Sequence, residues 1–590
     1  MARRLVVLLA AAGLLAASSV WARASSPSSV SWPPHQALPH FAAPQHLDVA
    51  DVSSLPGDQQ LLFNTLEGLV NRAQPRIYLL WNADEGKRTW LNTLNSEFGV
   101  PSTDVGDKWD TLSAYLLTTY RLSFSGMIIY DPSVPDSINV ATSLAEPDNA
   151  IVASPDVATL LAPYKIPVVN DTRLGPRGGD LRGRFLSRLD AYQWEYDNLW
   201  VPGAVTHRML VGLPPFQSAS VHLAILGGSN IPEEPVYDSG AFPGEPFPSL
   251  RDYAVAAGAM VVWLNHNDPA ERALLEKILS AMPPDSPYLG THAGDVAGEI
   301  TIVALLSQHS VYEVAADYFN NGSVLGGVRP AHLTRASAGQ SLAIDRNKIY
   351  VTFTMSDGDN IQYDQRFLRK EWDAAHSPPI DVPINWTISP LLLDAAPAIF
   401  DHYTRTATPN DLFMAGPSGA GYAYPSSWPD ETFRTFTGQT GTYMRQAGIT
   451  TLDILNAPNG IRMPLTQTDA HDYVRDVAPA GMMLNYNFFP ECRTDNVMIE
   501  RQTPVTTGCI VSSDQAHAQG EAQADVQQQA ARCPVVLGQP CFISIEFTVW
   551  NITPADVAAV ANTLSKQDSR YFFVRADQYF DLLRQANQGP

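Results

Sequence analysis

The pattern of apolar and polar residues predicts alternating helices and strands in the first half of the chain. Apolar residues recur with helical spacing from Leu61 to Val70, which predicts an amphipathic helix. The run Arg76–Trp81 follows Pro75 and predicts a buried strand. Short apolar strands separated by helices are typical of parallel α/β units. Further predicted strands of this kind are Met127–Tyr130, Ala150–Val152, Ile166–Val169 and Ala259–Leu264.

The last part of the chain repeats this pattern with more regular spacing. Each predicted strand is followed by polar or Gly/Pro residues, and most of these are followed by a helical pattern. About seven such β-then-α units predict an α/β fold whose C-terminal domain is a (β/α) barrel, either distorted or seven-stranded. An open, doubly wound sheet is the alternative. The predicted strands are Lys348–Met355, Val382–Ile388, Asp411–Ala415, Thr451–Leu455, Gly481–Tyr486, Cys541–Phe547 and Tyr571–Val574.

The start of the chain has the pattern of a secretory signal peptide. Arg3 and Arg4 precede the apolar run Leu5–Ala17, and Ala22–Ala24 provides a small-x-small cleavage site. We therefore expect a secreted or periplasmic protein that is cleaved near Ala24. The predicted organisation is a signal peptide (1–24), a flexible leader (25–56), an N-terminal α/β portion (57–214), a second α/β portion (215–340) and the barrel domain (341–590).

Composition and charge narrow the class of partner. The 590 residues are 45% hydrophobic and 17% charged, which permits large cores and excludes bulk disorder. Asp and Glu outnumber Lys and Arg by 60 to 38, a formal net charge of −22. Such an acidic surface repels phosphate backbones and anionic lipid, so we expect no nucleic-acid partner. After the signal segment, no apolar stretch is long enough to span a membrane, so we expect no membrane insertion.

All four cysteines lie close together near the C-terminus. An even number in an exported protein favours disulfides, and the preferred pairing is Cys492–Cys509 with Cys533–Cys541. A zinc site is the alternative, although the sequence has no C-x-x-C spacing and no histidine at ligand spacing.

The run Asp357–Asn360 is the sharpest local signal for chemistry. Asp357 and Asp359 directly follow a predicted strand, where the functional rim of a barrel lies. Two carboxylates at this spacing could act as an acid/base pair or hold a divalent metal ion, with Asn360 contacting the substrate. The alternative is a turn in which the aspartates accept backbone N–H bonds. We expect catalysis without a cofactor.

Glu546 interrupts the otherwise apolar strand Cys541–Phe547. A carboxylate in such a strand costs free energy unless it is paired or has a function, which predicts a raised pKa and proton transfer. The structural alternative is an ion pair with Arg575 on a neighbouring strand. Asn487 and Glu491 follow another strand and are further candidates for substrate contacts, as is Arg575 itself.

The segment from Gly419 to Pro425 combines glycines with two tyrosines. It lacks the third glycine and the later acidic residue of a dinucleotide fingerprint. Glycines that permit close backbone approach, followed by Tyr422 and Tyr424, are consistent with an aromatic platform for a sugar ring. In this interpretation Gly419, Gly421 and Trp386 also contribute to substrate binding. The alternative is a turn whose tyrosines only pack.

The segment Gly419–Pro425 resembles the sequence motif after which the GxGYxYP family of glycoside hydrolases is named. Val351–Asn360, Asn385–Pro390 and Asn64–Arg72 also resemble that family, so the similarity extends over nearly the whole mature chain. The resemblance implies an N-terminal α/β portion in several pieces and a C-terminal barrel similar to glycoside hydrolases and polysaccharide deacetylases. It also implies site roles for the motif residues and for Asp357–Asn360.

Three functions fit these observations. The first is a secreted glycosidase in which Asp357 or Asp359 works with Glu546 on a poly- or oligosaccharide. The second is a metal-dependent polysaccharide deacetylase, although the H-x-x-x-H ligand pair of those enzymes is absent. The third is a carbohydrate-binding protein with an inactive barrel, which would bind a glycan and release no product.

Overall fold

The computed structural model describes residues 30–216, 245–293, 296–488, 492–500, 502–533 and 538–588. The predicted signal peptide lies outside these residues. The strands are β1 (Leu47–Asp51), β2 (Ile77–Leu80), β3 (Ser102–Gly106), β4 (Gly126–Ile129), β5 (Ala150–Ala153), β6 (Thr206–Gly212), β7 (Ala259–Val262), β8 (Ser286–Gly290), β9 (Val311–Ala315), β10 (Ile349–Met355), β11 (Ile384–Ile388), β12 (Asp411–Ala415), β13 (Thr451–Ile454), β14 (Gly481–Phe488), β15 (Asp495–Ile499), β16 (Thr503–Val511), β17 (Cys541–Phe547) and β18 (Tyr571–Phe573).

Helices connect most of these strands, as expected for α/β units. They are α1 (Gly57–Asn71), α2 (Thr89–Glu97), α3 (Trp109–Thr119), α4 (Ser137–Asp148), α5 (Pro155–Leu160), α6 (Arg188–Glu195), α7 (Arg251–Ala257), α8 (Pro269–Leu279), α9 (Val296–Gln308), α10 (Gly322–Leu325), α11 (Ile361–Gln365), α12 (Phe367–Ala375), α13 (Leu392–Ala395), α14 (Pro397–Thr406), α15 (Asp430–Ala447), α16 (Gln467–Asp472), α17 (Ala518–Arg532), α18 (Pro554–Gln567) and α19 (Ala576–Asn587).

In the part of the chain that the structure describes, three parallel sheets precede the barrel. The first has the order β2-β1-β3, the second pairs β4 with β5, and the third has the order β7-β6-β8-β9. Strand β1 lies within the segment 25–56 that the sequence assigned to a flexible leader. Its residues are largely buried because it is the central strand of its sheet, so the ordered chain begins before residue 57. Ile166–Val169 forms no regular strand and contributes only a bridge between Val168 and Met127.

The C-terminal region is a closed parallel barrel, as predicted. Seven strands close the wall in the order β11-β12-β13-β14-β16-β17-β10, and β10 pairs with β11 to complete the ring. Strand β16 was not predicted, because Pro504 and Gly508 weaken its strand pattern. The predicted strand at 571–574 is present as β18, but it pairs only with the first three residues of β10. Strand β15 runs antiparallel to β16.

Apolar side chains fill the amino end of the barrel. Tyr350, Met414, Met483 and Phe542 project from four different strands into one cluster. Helix α19 closes this end of the barrel, with its side chains Tyr579, Phe580, Leu582 and Leu583 in the same cluster. The barrel is therefore blocked at its amino end, and the carboxyl ends of the strands form its accessible face.

A buried polar network joins the first and third sheets through α1. Asn64 accepts a hydrogen bond from the Asp252 amide at 2.6 Å, and Asp252 accepts bonds from the Ser323 amide at 2.9 Å and its hydroxyl at 2.7 Å. Asn71 donates to the Ser323 hydroxyl at 2.9 Å. These bonds account for the conspicuous polar residues of the Asn64–Arg72 motif, whose apolar neighbours are buried.

Both predicted disulfides are present. Cys492 pairs with Cys509 at a Cα–Cα distance of 5.3 Å, and Cys533 pairs with Cys541 at 5.8 Å. Among the described residues, no helix combines the length and apolar character needed to cross a membrane.

Candidate active site

Two carboxylates project into the barrel from strands on different parts of its wall. The Ser544 hydroxyl on β17 lies 3.5 Å from the Met483 sulfur on β14, so both side chains point inward. Because side chains alternate along a strand, Glu546 points inward as well. Asp453 on β13 is in register with Met483, so it occupies the same inner face. Glu546 lies nearer the carboxyl end of β17 than Phe542, the residue of that strand in the apolar cluster.

A third carboxylate, Asp357, lies just beyond the carboxyl end of β10. Its backbone is left-handed, with φ of 67°, a conformation that Asp tolerates better than most residues. The next residue must be glycine, because a Cβ there would overlap the Thr387 carbonyl of β11. The Gly358 amide donates to the Thr387 hydroxyl at 2.9 Å. This close contact fixes the loop that presents Asp357 at the rim.

The three carboxylates interact electrostatically and have different proton affinities. Burial raises the pKa of Glu546 well above its ordinary value, and the charges of Asp453 and Asp357 raise it further. Burial also raises the pKa of Asp453, to about 7. The pKa of Asp357 is raised by burial, but hydrogen bonds from Ser356 and Trp550 partly offset this increase. At neutral pH, Glu546 is therefore the group that retains its proton most strongly.

Trp550 places an aromatic ring beside this site. It belongs to the short 3-10 turn Val549–Asn551 that follows β17, and its side chain is partly exposed. Its ring packs against Phe367 at a centroid distance of 5.0 Å and against Tyr363 at 5.6 Å. A partly exposed ring that is supported from behind and adjoins a carboxylate has the features of a sugar-stacking residue.

Asp453 was not among the residues identified from the sequence. The signal was present, since it interrupts the apolar strand Thr451–Leu455 just as Glu546 interrupts Cys541–Phe547. Asp359 is buried beside Asp357, and Asn360 is partly exposed at the start of α11. Asn487 lies near the carboxyl end of β14 and donates to the Arg493 carbonyl at 3.4 Å. Glu491 lies outside the described residues.

The structure corrects two substrate-binding predictions. Trp386 is only 1% exposed, because it points away from the barrel interior and packs against Trp372, while its indole N–H donates to Asp411 at 2.8 Å. Arg575 does not pair with Glu546. Its guanidinium pairs with Asp577 at 2.7 Å and donates to the carbonyl of Asp411, the first residue of β12, at 3.1 Å. Arg575 therefore braces the amino end of the wall, opposite the rim.

The Gly419–Pro425 segment forms a domain junction rather than an open aromatic platform. The Tyr422 amide donates to the Glu313 carbonyl on β9 at 2.8 Å, and the Glu313 amide donates back at 2.9 Å. Tyr424 is fully buried, and its hydroxyl lies 3.0 Å from that of Tyr422. A Cβ at Gly419 would lie 2.5 Å from the Thr440 hydroxyl, so this glycine permits a close approach as well. The motif joins the barrel to the third sheet.

Among the described residues, one group of three side chains has the spacing needed to hold a metal ion. The one such cluster in this part of the chain consists of Cys492, Cys509 and Asp525, and its two cysteines form a disulfide. Asp357 and Asp359 do not belong to a three-donor cluster within the described residues.

Family models match most of the chain. Residues 347–584 match the model described as "GxGYxYP putative glycoside hydrolase C-terminal domain". Three further models of this family, for its first, second and third N-terminal domains, match residues 46–116, 124–203 and 236–327. The protein belongs to the GxGYxYP family. The resemblance inferred from the motifs is confirmed.

The fold of this GxGYxYP protein is similar to that of a solved structure from Bacteroides thetaiotaomicron VPI-5482, described as a "putative hydrolase". The two share 18% sequence identity with a TM-score of 0.73, and the match covers 93% of this chain and 96% of the other. The YdjI aldolase from Escherichia coli K12 matches with a TM-score of 0.17 at 10% identity, covering 41% of this chain and 90% of the other, which is too low to support an argument. A comparison with curated proteins finds no match. The family name refers to glycoside hydrolases, and the similar structure shows that the two chains share their fold.

Proposed function

We propose that the protein is a glycosidase that cleaves a poly- or oligosaccharide at the carboxyl end of the barrel. The observation that carries the proposal is the convergence of Asp357, Asp453 and Glu546, whose surroundings give them different proton affinities. Acid–base roles in an enzyme follow from such separation, since one group must hold a proton while its partner is ionised.

Glu546 is the general acid in this proposal. Its raised pKa keeps it protonated at neutral pH, so it can donate a proton to the glycosidic oxygen as the bond breaks. Asp453 lies close enough for its charge to act on Glu546, and this repulsion favours one shared proton over two ionised groups. Asp453 therefore helps to keep the acid protonated.

Asp357 is the ionised partner. Hydrogen bonds from Ser356, at 3.2 Å, and from Trp550 stabilise its charged form. An ionised carboxylate opposite the acid either activates water or attacks the sugar directly, depending on the separation of the two groups. The ring of Trp550 would stack on the apolar face of the sugar that lies between them.

Export from the cytosol is part of the proposal. Two disulfides within about 50 residues favour an oxidising compartment. The signal peptide at residues 1–24 remains a prediction, as do the boundaries of the two N-terminal portions. The signal peptide is tested by N-terminal sequencing of the protein recovered from outside the cytosol. We expect a mature chain that begins near Ser25.

The proposed function is tested by a product screen of the purified protein on plant, bacterial and host glycans, with mass spectrometry of the released material. Glu546→Gln and Asp357→Asn are compared with wild type, and Glu500→Gln is the control because Glu500 is half exposed and pairs with His471 on the surface. We expect new reducing ends that both site variants lose by at least about 100-fold, the usual contribution of acid–base catalysis, and that the control retains.

Two results would contradict the proposal. Release of acetate without chain cleavage would indicate a deacetylase. Glycan binding without any product across the pH range would indicate a carbohydrate-binding protein that uses the polar rim as a binding surface only.

A further inference from the structure

A second pocket lies away from the three carboxylates, between the first sheet and helix α11 of the barrel. Its walls include Tyr78, Trp81, Glu85, Trp90, Asn320 and Arg366. The empty space, counted out to the open mouth, is about 320 Å³. The innermost part is only wide enough for a group the size of a water molecule, so a ligand would insert one edge and leave the remainder in the mouth.

The pocket lies beside the carboxyl end of β2, an edge strand of the first sheet. Strand β2 ends at Leu80, directly before Trp81. The chain passes from β1 to β2 on one side and then crosses to β3 on the other side of β1. The strand order reverses between β1 and β3, whereas the pocket lies at the carboxyl end of the neighbouring strand β2.

Four polar atoms around the pocket are buried and have no hydrogen-bond partner within the described part of the chain. Two are donors, the Trp81 indole N–H and the Arg366 Nε–H, and two are acceptors, Glu85 Oε2 and Asn320 Oδ1. Trp81 and Asn320 are only 9% and 7% exposed. Leaving such atoms unpaired costs free energy, which a bound group with both donors and acceptors would recover.

Neighbouring hydroxyl groups supply the complementary chemistry, because each hydroxyl both donates and accepts. A cationic ligand would meet Arg366, and an anionic ligand would meet Glu85, whose pKa burial raises to about 7. The wall also includes the aromatic side chains of Tyr78, Trp81 and Trp90, and Lys87, whose ammonium group is paired with Asp51 at 3.0 Å. Two donors, two acceptors and aromatic side chains are the combination that sugar sites use.

We propose that this pocket is a second carbohydrate-binding site, which takes the hydroxyl-bearing edge of a neutral sugar. Arg366 directly follows α11, and α11 begins four residues after Asp357. A sugar in the pocket would therefore contact both the first sheet and the segment that continues from the catalytic loop. The proposal does not depend on cleavage, since it concerns binding alone.

The test is a ligand-detected NMR titration of the full chain with D-glucose, D-xylose and glycerol. It is performed on Glu546→Gln, so that no chemistry at the barrel alters the ligand. Trp81→Phe removes the N–H donor and keeps an aromatic ring, and Glu85→Leu removes the acceptor. Each is added to the Glu546→Gln background. Trp194→Phe is the matched control because Trp194 lies on α6, outside the pocket lining.

We expect saturable sugar binding that Trp81→Phe and Glu85→Leu each weaken about threefold to tenfold, the effect of one lost hydrogen bond, and that Trp194→Phe leaves unchanged. Thermal melts confirm that each variant is folded. Absence of saturable binding by both sugars would overturn the proposal, as would equal affinity in folded Trp81→Phe and Glu85→Leu. If the protein binds sugar at this pocket but the wild type cleaves no glycan, the second binding site is supported and the proposed glycosidase function is contradicted.

Discussion

Substitution of Gly421 by alanine tests whether the glycine–tyrosine motif is a domain junction. An added Cβ would lie 2.9 Å from Cγ and Cε2 of Tyr312 and closer still to Cδ2. Tyr312 is fully buried on β9, where its ring also packs against Phe436 at 5.9 Å. Because the ring has no free space to move into, the added methyl group forces the barrel loop and β9 apart.

The expected cost follows from overpacking. Inserting one methyl group into a filled core typically costs about 1–3 kcal/mol. For a domain of 150–250 residues, each 1 kcal/mol lowers Tm by about 2–4 °C, so Gly421→Ala should lower Tm by roughly 2–12 °C. The substitution leaves the rim carboxylates untouched, so activity per folded molecule should change little.

Gly438→Ala is the matched control. Gly438 lies within α15, and a Cβ there would meet no atom within 4 Å. Alanine is favoured over glycine in helices by about 0.5–1 kcal/mol, so this variant should be as stable as wild type or slightly more stable. Scanning calorimetry of wild type and both variants measures the two opposite effects.

A Gly421→Ala variant with unchanged Tm and lost glycan binding would refute the argument. That result would mean that the motif contacts the sugar and that the junction tolerates the methyl group. A loss of Tm in both variants would show that the chain is sensitive to any added methyl group, and the steric explanation would fail.

Three further predictions follow from buried groups. Trp550→Phe removes the hydrogen bond that stabilises ionised Asp357, so the pKa of Asp357 should rise and the acid limb of the pH profile of kcat/KM should move to higher pH. An unchanged acid limb would show that Trp550 does not stabilise ionised Asp357. Burial raises the pKa of Asp252 from 3.8 to about 6, so protonated Asp252 stabilises the fold and this contribution is lost between about pH 4 and 6. Asp252→Asn should therefore be more stable than wild type at pH 8 by roughly 3 kcal/mol and show no such gain at pH 4, as measured by urea unfolding at both pH values. Replacing both Cys492 and Cys509 by serine opens a loop with a sequence separation of 17 and should cost about 3 kcal/mol, measured in the same way; no loss of stability would contradict the loop-closure argument.

The pattern of apolar and polar residues was sufficient to predict the architecture, because parallel α/β units have a strong local sequence pattern. Runs such as Lys348–Met355 and Cys541–Phe547 are apolar, bounded by polar turns and of strand length, and both are strands in the structure. Strand β16 was not predicted from the sequence, because its pairing with β14 and β17 outweighs the unfavourable local effects of Pro504 and Gly508 on strand formation. Strand β16, which completes the barrel wall, is therefore stabilised by tertiary contacts more than by its local sequence.

At the candidate site, the direction in which each side chain points was harder to predict from the sequence than the strands themselves. Glu546 and Asp453 could be selected from their apolar surroundings, because burial of an unpaired carboxylate is costly wherever it occurs. Trp386 and Tyr424 gave no such signal, since an aromatic residue fits a binding platform and a core equally well. The burial of Trp386 depends on Trp372 in the preceding helix, and that of Tyr424 on helix α9, which precedes the barrel domain.

The short strand β18 gives the barrel a taper. It pairs with Ile349–Val351, whereas β11 pairs with the same edge of β10 at Thr354 and Met355, so β18 adds to the base of the wall an eighth strand that, within the described residues, pairs with β10 alone. With strands about 4.8 Å apart and tilted by about 36°, one strand fewer narrows the diameter by about 2 Å. This funnel shape brings charges from opposite sides of the rim towards one another. Extending β18 to the mouth should widen the funnel, reduce the burial of the rim carboxylates and lower their pKa values towards those of isolated acids.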